Sequence, residues 1–332
     1  MAELIYKNPD IYKIPVTLPN NPLKILNSYV IRTPDENLVI DTGFNQPECL
    51  EALTAGLKEL CIDMDHTTLF LTHLHSDHVG LTNDIITDKT RVLMSDVDYN
   101  YLKNEHDGAF WPWMEEKFYH EGLSRDLIEL QRKVNPARAF APKYLFRAET
   151  VSDHECFSIG GHILECLWTP GHTPGHMCLY LKKEKILFSG DHILFDITPN
   201  ITMWRGIDDS LGNYLESLRK IQSLDIHLTL PGHRGNDMDV YERIQQIQQH
   251  HDRRIRQTLS IIQKNPGLNA CQIGAQMTWS MRGKNWDEFP IQQKWFAIGE
   301  TISHLDYLIE RGEIVRHTDK EIFYYNALVN EI

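Results

Sequence analysis

Thr72-His73-Leu74-His75-Ser76-Asp77-His78-Val79-Gly80 places three histidines and an aspartate within six residues. The stretch follows an apolar run, Thr68–Leu71, that reads as a short strand. Three later segments repeat that grammar of apolar run, glycine-containing turn and polar ligand-type residue. They are Leu167-Trp168-Thr169-Pro170-Gly171-His172, Leu187-Phe188-Ser189-Gly190-Asp191 and Leu228-Thr229-Leu230-Pro231-Gly232-His233. In layered α/β architectures the loops at strand ends line the functional crevice, so four such loops at one sheet edge would converge on a single site.

The candidate ligands are therefore His73, His75, Asp77, His78, His172, Asp191 and His233. All offer nitrogen or oxygen and none is a thiolate. A closed structural zinc site favours cysteine and needs only four ligands. Seven suit two divalent ions with open positions for water, which is a catalytic arrangement. Zinc is the first expectation, with manganese or iron also compatible with His/carboxylate ligands.

The rest of the chain bounds this reading. Its 332 residues allow one large domain and a smaller one. Hydrophobic content of 42% and charged content of 24% describe an ordinary globular composition. No apolar run is long enough for a membrane span, and the start MAELIYKNPDIYKIP lacks the basic and apolar regions of a secretory signal. Six cysteines without regular spacing read as buried, reduced thiols, which gives a cytoplasmic expectation. A net charge of −13 argues against nucleic acid as the default partner.

Strand-like runs occur at Ile25–Arg32, Leu38–Ile40, Thr68–Leu71 and Arg91–Met94, then at His162–Trp168, Met177–Leu181, Ile186–Phe188 and His227–Leu230. Amphipathic helices fall between them, one starting at Pro47 and carrying Leu50, Leu53, Leu57 and Leu60, the other carrying Leu211, Leu215, Leu218 and Ile221. An aromatic and acidic stretch, about residues 96–147, reads as two or three inserted helices, either a packing elaboration or a lid in which Phe110, Trp111 and Trp113 wall a pocket. Beyond Gly235 one long helix runs to Asn265-Pro266-Gly267. A short helix, a longer helix and a two-stranded hairpin follow, which is a winged-helix pattern. The expected division is 1–235, a linking helix at 236–264, and a winged-helix domain at 265–332.

The ordered set THLHSDH, PGHTPGH, SGD and PGH resembles the metallo-β-lactamase superfamily over about residues 20–235. The resemblance implies an α/β fold, the αββα sandwich, with the metals at one edge. It also implies that His73, His75 and His172 hold a first ion, that Asp77, His78 and His233 hold a second, and that Asp191 bridges them. Asp41, in Leu38-Val39-Ile40-Asp41-Thr42-Gly43, would orient ligands or water from behind. GDHILFDITPNI and ISHLDYLIERGEI are similar to a subgroup with a C-terminal winged helix, of the β-lactamase-like protein 2 type. Val79 departs from the Ser or Gly common there.

The implied chemistry is hydrolysis of a small carbonyl substrate (thioester, ester or lactone) by a hydroxide bridging two metals, with Asp77 and Asp191 as the catalytic carboxylates. A phosphodiesterase or endoribonuclease of the same fold is the alternative. Residues 251–332 carry ten Lys and Arg against ten Asp and Glu, without the basic excess of a nucleic-acid reader. An iron-dependent redox enzyme is the second alternative. The winged helix would complete a pocket wall or mediate contacts between two copies. His176 is a candidate for contact with ligands or substrate, and Arg205 and Arg234 for an anionic group. Phe44, Trp111, Trp113 and Phe195 are pocket candidates. His192 should point away from the site, and His250 and His251 should face solvent.

Overall fold

The computed structural model describes residues 1–280 and 285–328. Two sheets account for most of the first two thirds of the chain. The first has strands β1 (Glu3–Tyr6), β2 (Asp10–Thr17), β3 (Ile25–Arg32), β4 (Asn37–Ile40), β5 (Thr67–Phe70), β6 (Arg91–Ser95) and β7 (Glu149–Val151), paired in sequence order. Pairing is antiparallel as far as β4 and parallel from β4 to β7. The second comprises β8 (Cys156–Ile159), β9 (His162–Trp168), β10 (Met177–Leu181), β11 (Ile186–Gly190) and β12 (Leu228–Pro231), in the order β12-β11-β10-β9-β8.

The central strands, such as β4, β5, β10 and β11, are buried along their whole length because both faces are covered. Alternate residues divide between two cores, as the pleat requires. In β3, Tyr29 and Ile31 face the other sheet, where Leu179, Leu181 and Phe188 meet them. Leu26 and Val30 face outward, onto Cys49, Leu53 and Leu57 of the helix Pro47–Glu59. In β10, Met177, Leu179 and Leu181 point between the sheets, whereas Cys178 and Tyr180 pack against Leu211, Leu215 and Leu218 of the helix Ser210–Gln222. The layers run helix, sheet, sheet, helix.

Between β6 and β7 the insertion holds four helices, one more than the sequence suggested: Asp96–His106, Phe110–His120, Arg125–Val134 and Pro136–Ala139. After β12 come the helices Val240–Lys264, Ala270–Gln276 and Ile291–Glu310, then a hairpin of β13 (Ile314–Asp319) and β14 (Ile322–Ala327). Asp239 caps the first of these by accepting from the N–H groups of Tyr241 and Glu242. Asn269 and Gln272 form a capping box at the second. Arg282 and Lys284, counted in the charge balance above, and the last four residues of the chain lie outside the described residues.

This C-terminal unit packs on the insertion. The rings of Phe118 and Trp295 stack at 3.5 Å, and the Tyr325 hydroxyl donates to Glu121 Oε2 at 2.7 Å. His251 does not face solvent as its polar helix suggested. His251 is fully buried, with its ring 5.5 Å from Tyr214 and 5.4 Å from His304. The long helix is covered on two sides, by Ser210–Gln222 and by Ile291–Glu310, so the side that carries His251 has no access to solvent. Of the cysteines read as buried, Cys61 and Cys156 prove to be exposed.

Candidate metal centre

Every candidate ligand stands just past the C-terminal end of a strand. β5 delivers His73 and His75, β9 delivers His172, β11 delivers Asp191 and β12 delivers His233. His73 and His75 lie two apart on extended chain and so face the same way, while Leu74 between them turns into the core. The chain then enters the one-turn helix Ser76–Val79, which swings Asp77 and His78 inward.

Six of the seven residues form two adjoining triads. His73, His75 and His172 make one, and Asp77, His78 and His233 the other; within each, one ligand atom per residue lies within 4.8 Å of its fellows. His73 Nε2 is 3.1 Å from His75 Nδ1. His233 Nε2 is 3.3 Å from Asp77 Oδ2. Asp191 stands between the triads: Oδ2 lies 3.6 Å from His172 Nε2, and Oδ1 lies 3.6 Å from both His78 Nε2 and His233 Nε2.

Backbone and carboxylate acceptors aim the rings. Nδ1 of His172 faces the Asn200 carbonyl at 2.8 Å, and Nδ1 of His233 faces the Ile25 carbonyl at 2.8 Å. Carbonyls only accept, so both Nδ1 atoms carry the proton and both Nε2 atoms turn toward the cluster. His78 Nδ1 lies 2.7 Å from Asp41 Oδ2. The same carboxylate accepts the Thr72 hydroxyl at 2.8 Å and, through Oδ1, the Thr72 N–H at 2.9 Å. His73 Nδ1 donates in turn to Thr72 Oγ1 at 3.0 Å.

The Nε2 atoms of His78, His172 and His233 and Oδ1 of Asp191 are buried and find no hydrogen-bond partner among the described residues. Buried polar atoms normally have one. Unpartnered ring nitrogens that converge on a carboxylate, with the opposite ring nitrogen held by an acceptor, are what divalent ions need. The donor set fits them.

Charge divides unevenly between the triads. Burial drives His73 and His75 toward the neutral form, His75 down to about 3, and the neighbouring imidazoles add to this. Burial acts the same way on His78 and His233, but Asp41, Asp191 and Asp77 outweigh it and raise both. Burial likewise opposes ionisation of Asp77 and Asp191, yet the adjacent histidines pull Asp77 down to about 2 and Asp191 well below the usual carboxylate range. The carboxylates thus favour positive charge on His78 and His233, the kind of charge a divalent ion would supply there.

Other candidates take smaller parts. His176 is buried, with Nδ1 2.8 Å from Thr169 Oγ1, while Nε2 accepts the Asp191 N–H at 3.2 Å and so holds that loop. His192 points away from the cluster, as expected, onto the Tyr214 ring at 5.2 Å. Arg234 donates to the Pro22 carbonyl. Phe44 and Phe195 belong to the cores. Trp111 and Trp113 line two separate cavities, of about 260 and 200 Å³. The aromatic beside the ligands is Trp204, which sequence reading missed: its ring lies 6.1 Å from that of His75, and its Nε1 donates to the His172 carbonyl. Its position in an irregular segment offered no periodic signal.

The sequence profile of the metallo-beta-lactamase superfamily matches residues 23–233, and that of the metallo-beta-lactamase-like C-terminal domain matches residues 286–327. The crystal structure of a metallo-beta-lactamase family protein from Thermus thermophilus superposes with a TM-score of 0.79 at 26% identity, covering 97% of this chain and 100% of that one. The beta-lactamase-like protein 2 homolog of Caenorhabditis elegans is 25% identical over 77% of this chain and 73% of its own. The atrochrysone carboxyl ACP thioesterase of Aspergillus fumigatus is 28% identical over 71% of this chain and 59% of its own.

Proposed function

Since the chain belongs to the metallo-beta-lactamase superfamily, we propose that it is a binuclear metal-dependent hydrolase that cleaves a small carbonyl substrate, a thioester first and an ester or lactone next. The observation that carries this is Asp191, one oxygen toward each triad, among buried ring nitrogens that lack protein partners. His73, His75 and His172 would hold one ion, Asp77, His78 and His233 the other, and Asp191 would bridge them. Two such ions supply a nucleophilic water at neutral pH and an electrophile for the acyl oxygen.

The chain's own residues do the remaining work. Asp77, kept a carboxylate beside His233, would orient the attacking water. Asp41 and Thr72 fix the rings of His78 and His73, and His176 fixes the Asp191 backbone. Trp204 gives the substrate side an apolar wall next to His75. A thioester is placed first because the similar Aspergillus fumigatus protein is named an acyl-carrier thioesterase. We read the three helices and hairpin after β12 as the linking helix and winged helix, used here to brace the insertion rather than to grip nucleic acid, consistent with its balanced charge.

The test is metal analysis of the purified protein beside Asp191→Ala, followed by a panel of thioester, lactone and phosphodiester substrates. About two zinc or manganese ions per chain, lost in the variant, with thioester or lactone turnover, is the expected result. A single iron per chain, or turnover of phosphodiesters alone, overturns it.

A further inference from the structure

The first turn of the insertion makes contacts that a lid would not need. Asp98 is fully buried in the helix Asp96–His106. Its Oδ2 accepts the Leu74 N–H at 2.9 Å and the Thr173 hydroxyl at 2.7 Å, and its Oδ1 accepts the Gly175 N–H at 2.6 Å. Leu74 lies between His73 and His75, and Thr173 follows His172. One carboxylate therefore ties together two loops that leave different sheets, β5 in the first and β9 in the second.

A second observation points the same way from the opposite side of the contact. A Cβ on Gly175 would stand 2.2 Å from Ser95 Oγ, 2.4 Å from the Asp98 nitrogen and 2.7 Å from Asp98 Oδ1. The His172 loop can lie on the start of this helix only with glycine there. Burial pushes the Asp98 carboxyl up to about 7, against the three donors that favour its charge. A carboxylate buried without a basic partner among the described residues is costly to keep, so its bonds ask for an explanation beyond filling space.

We propose that Asp98 is a positioning residue for the metal pair, latching the His73–His75 loop to the His172 loop at the spacing the first ion requires. This rests on the two-ion reading above. The latch is selective. Asp98 bonds to neither Asp77, His78 nor His233, and His78 has its own anchor in Asp41. The backbone bond from the Met177 N–H to the Thr72 carbonyl, 2.8 Å, also joins the two loops, so loss of Asp98 loosens the first triad without unfolding the edge.

The experiment measures both zinc affinities by competition with a chromophoric chelator, and the visible spectrum of the cobalt-substituted protein, for wild type, Asp98→Asn, Gly175→Ala and Thr173→Val. Asp98→Asn keeps the size but sets an amide N–H₂ against a backbone N–H or the Thr173 hydroxyl. The expected result is that Asp98→Asn and Gly175→Ala each weaken one of the two zinc sites by ~10–100-fold, leave the other within about threefold, and alter the cobalt spectrum. Thr173→Val should shift the same site less. Two unchanged affinities in Asp98→Asn, or an equal fall at both sites, overturns the proposal. Should Asp98→Asn give no cooperative melt, Gly175→Ala and Thr173→Val decide by the same criteria. A wild-type protein that binds no metal sinks the two-ion reading itself. A wild type with two sites, both insensitive to Asp98, sinks the latch alone.

Discussion

Oδ2 of Asp41 lies 2.7 Å from Nδ1 of His78, both side chains buried, and the same carboxylate takes two bonds from Thr72. Asp41 therefore fixes the direction of one candidate ligand, His78, directly and, through Thr72, of another, His73. Removing such a carboxylate costs metal affinity rather than fold. Asp41→Ala is expected to weaken the second ion ~10–100-fold. Zinc retained after dialysis against a chelator measures it, and full retention by the variant would refute the role.

Metal uptake should expel protons. His78 and His233 are raised by the carboxylates around them, so each holds a proton in the metal-free protein to a higher pH than a free histidine. A ligand must be neutral at Nε2, so binding releases ~1–2 protons and affinity climbs with pH through neutrality. Calorimetry in buffers of different ionisation heat reads the number. A heat independent of buffer would contradict it.

Gly171 precedes His172 with φ +139°, and a Cβ there would meet Tyr214 Cβ at 2.3 Å. Both the backbone angle and the space demand glycine. Gly171→Ala should destabilise the protein by about 1–3 kcal/mol from overpacking and push His172 out of line. Urea unfolding and zinc content together check this. A stable variant with both ions would show that the loop yields.

Acid should act through Glu300. Burial alone would raise its carboxyl, but His250, whose Nε2 lies 3.9 Å from Oε1, and the charge of Arg254, whose Nε lies 3.1 Å away, hold it at about 2 against an ordinary 4.5. A lowered folded pKa contributes stability that is present above 4.5 and lost as pH falls toward 2. The contribution is on the order of 3 kcal/mol. Glu300→Gln should flatten that acid limb while lowering stability at neutral pH, where Arg254 loses its partner. Parallel urea titrations across the range decide it, and an unchanged acid limb would remove Glu300 from the explanation.

Much of the candidate site was legible because its candidate ligands carry their chemistry in their side chains and stand beside glycine turns. Asn200 and Ile25 escaped notice because they contribute carbonyl groups, which any residue has. Asp98 escaped because nothing in Asp96-Val97-Asp98 distinguishes a buried acid from a helix-capping one. The sandwich was legible where strands are apolar on both faces, as in β3 and β10. Outside the runs singled out were β1, β7 and β8, sheet-edge strands with exposed residues, and β2, where Asp10, Lys13 and Pro15 interrupt the pattern. His251 shows the limit of periodicity. A helix's own sequence does not reveal that a neighbour such as Ile291–Glu310 will cover its polar side.

The stack of Phe118 on Trp295 and the bond of Tyr325 to Glu121 have a consequence for synthesis. A ribosome releases all seven candidate ligand residues by His233, while Trp295 and Tyr325, which cover Phe118 and Glu121, emerge only later. The nascent chain must pass through a stage in which the ligand cluster is complete and Phe118 is bare, an aromatic surface open to chaperones and to aggregation. A premature stop within Ile291–Glu310 or the β13–β14 hairpin would leave a polypeptide that holds every candidate ligand yet is permanently unsealed, and quality control would meet a defect remote from the candidate metal edge.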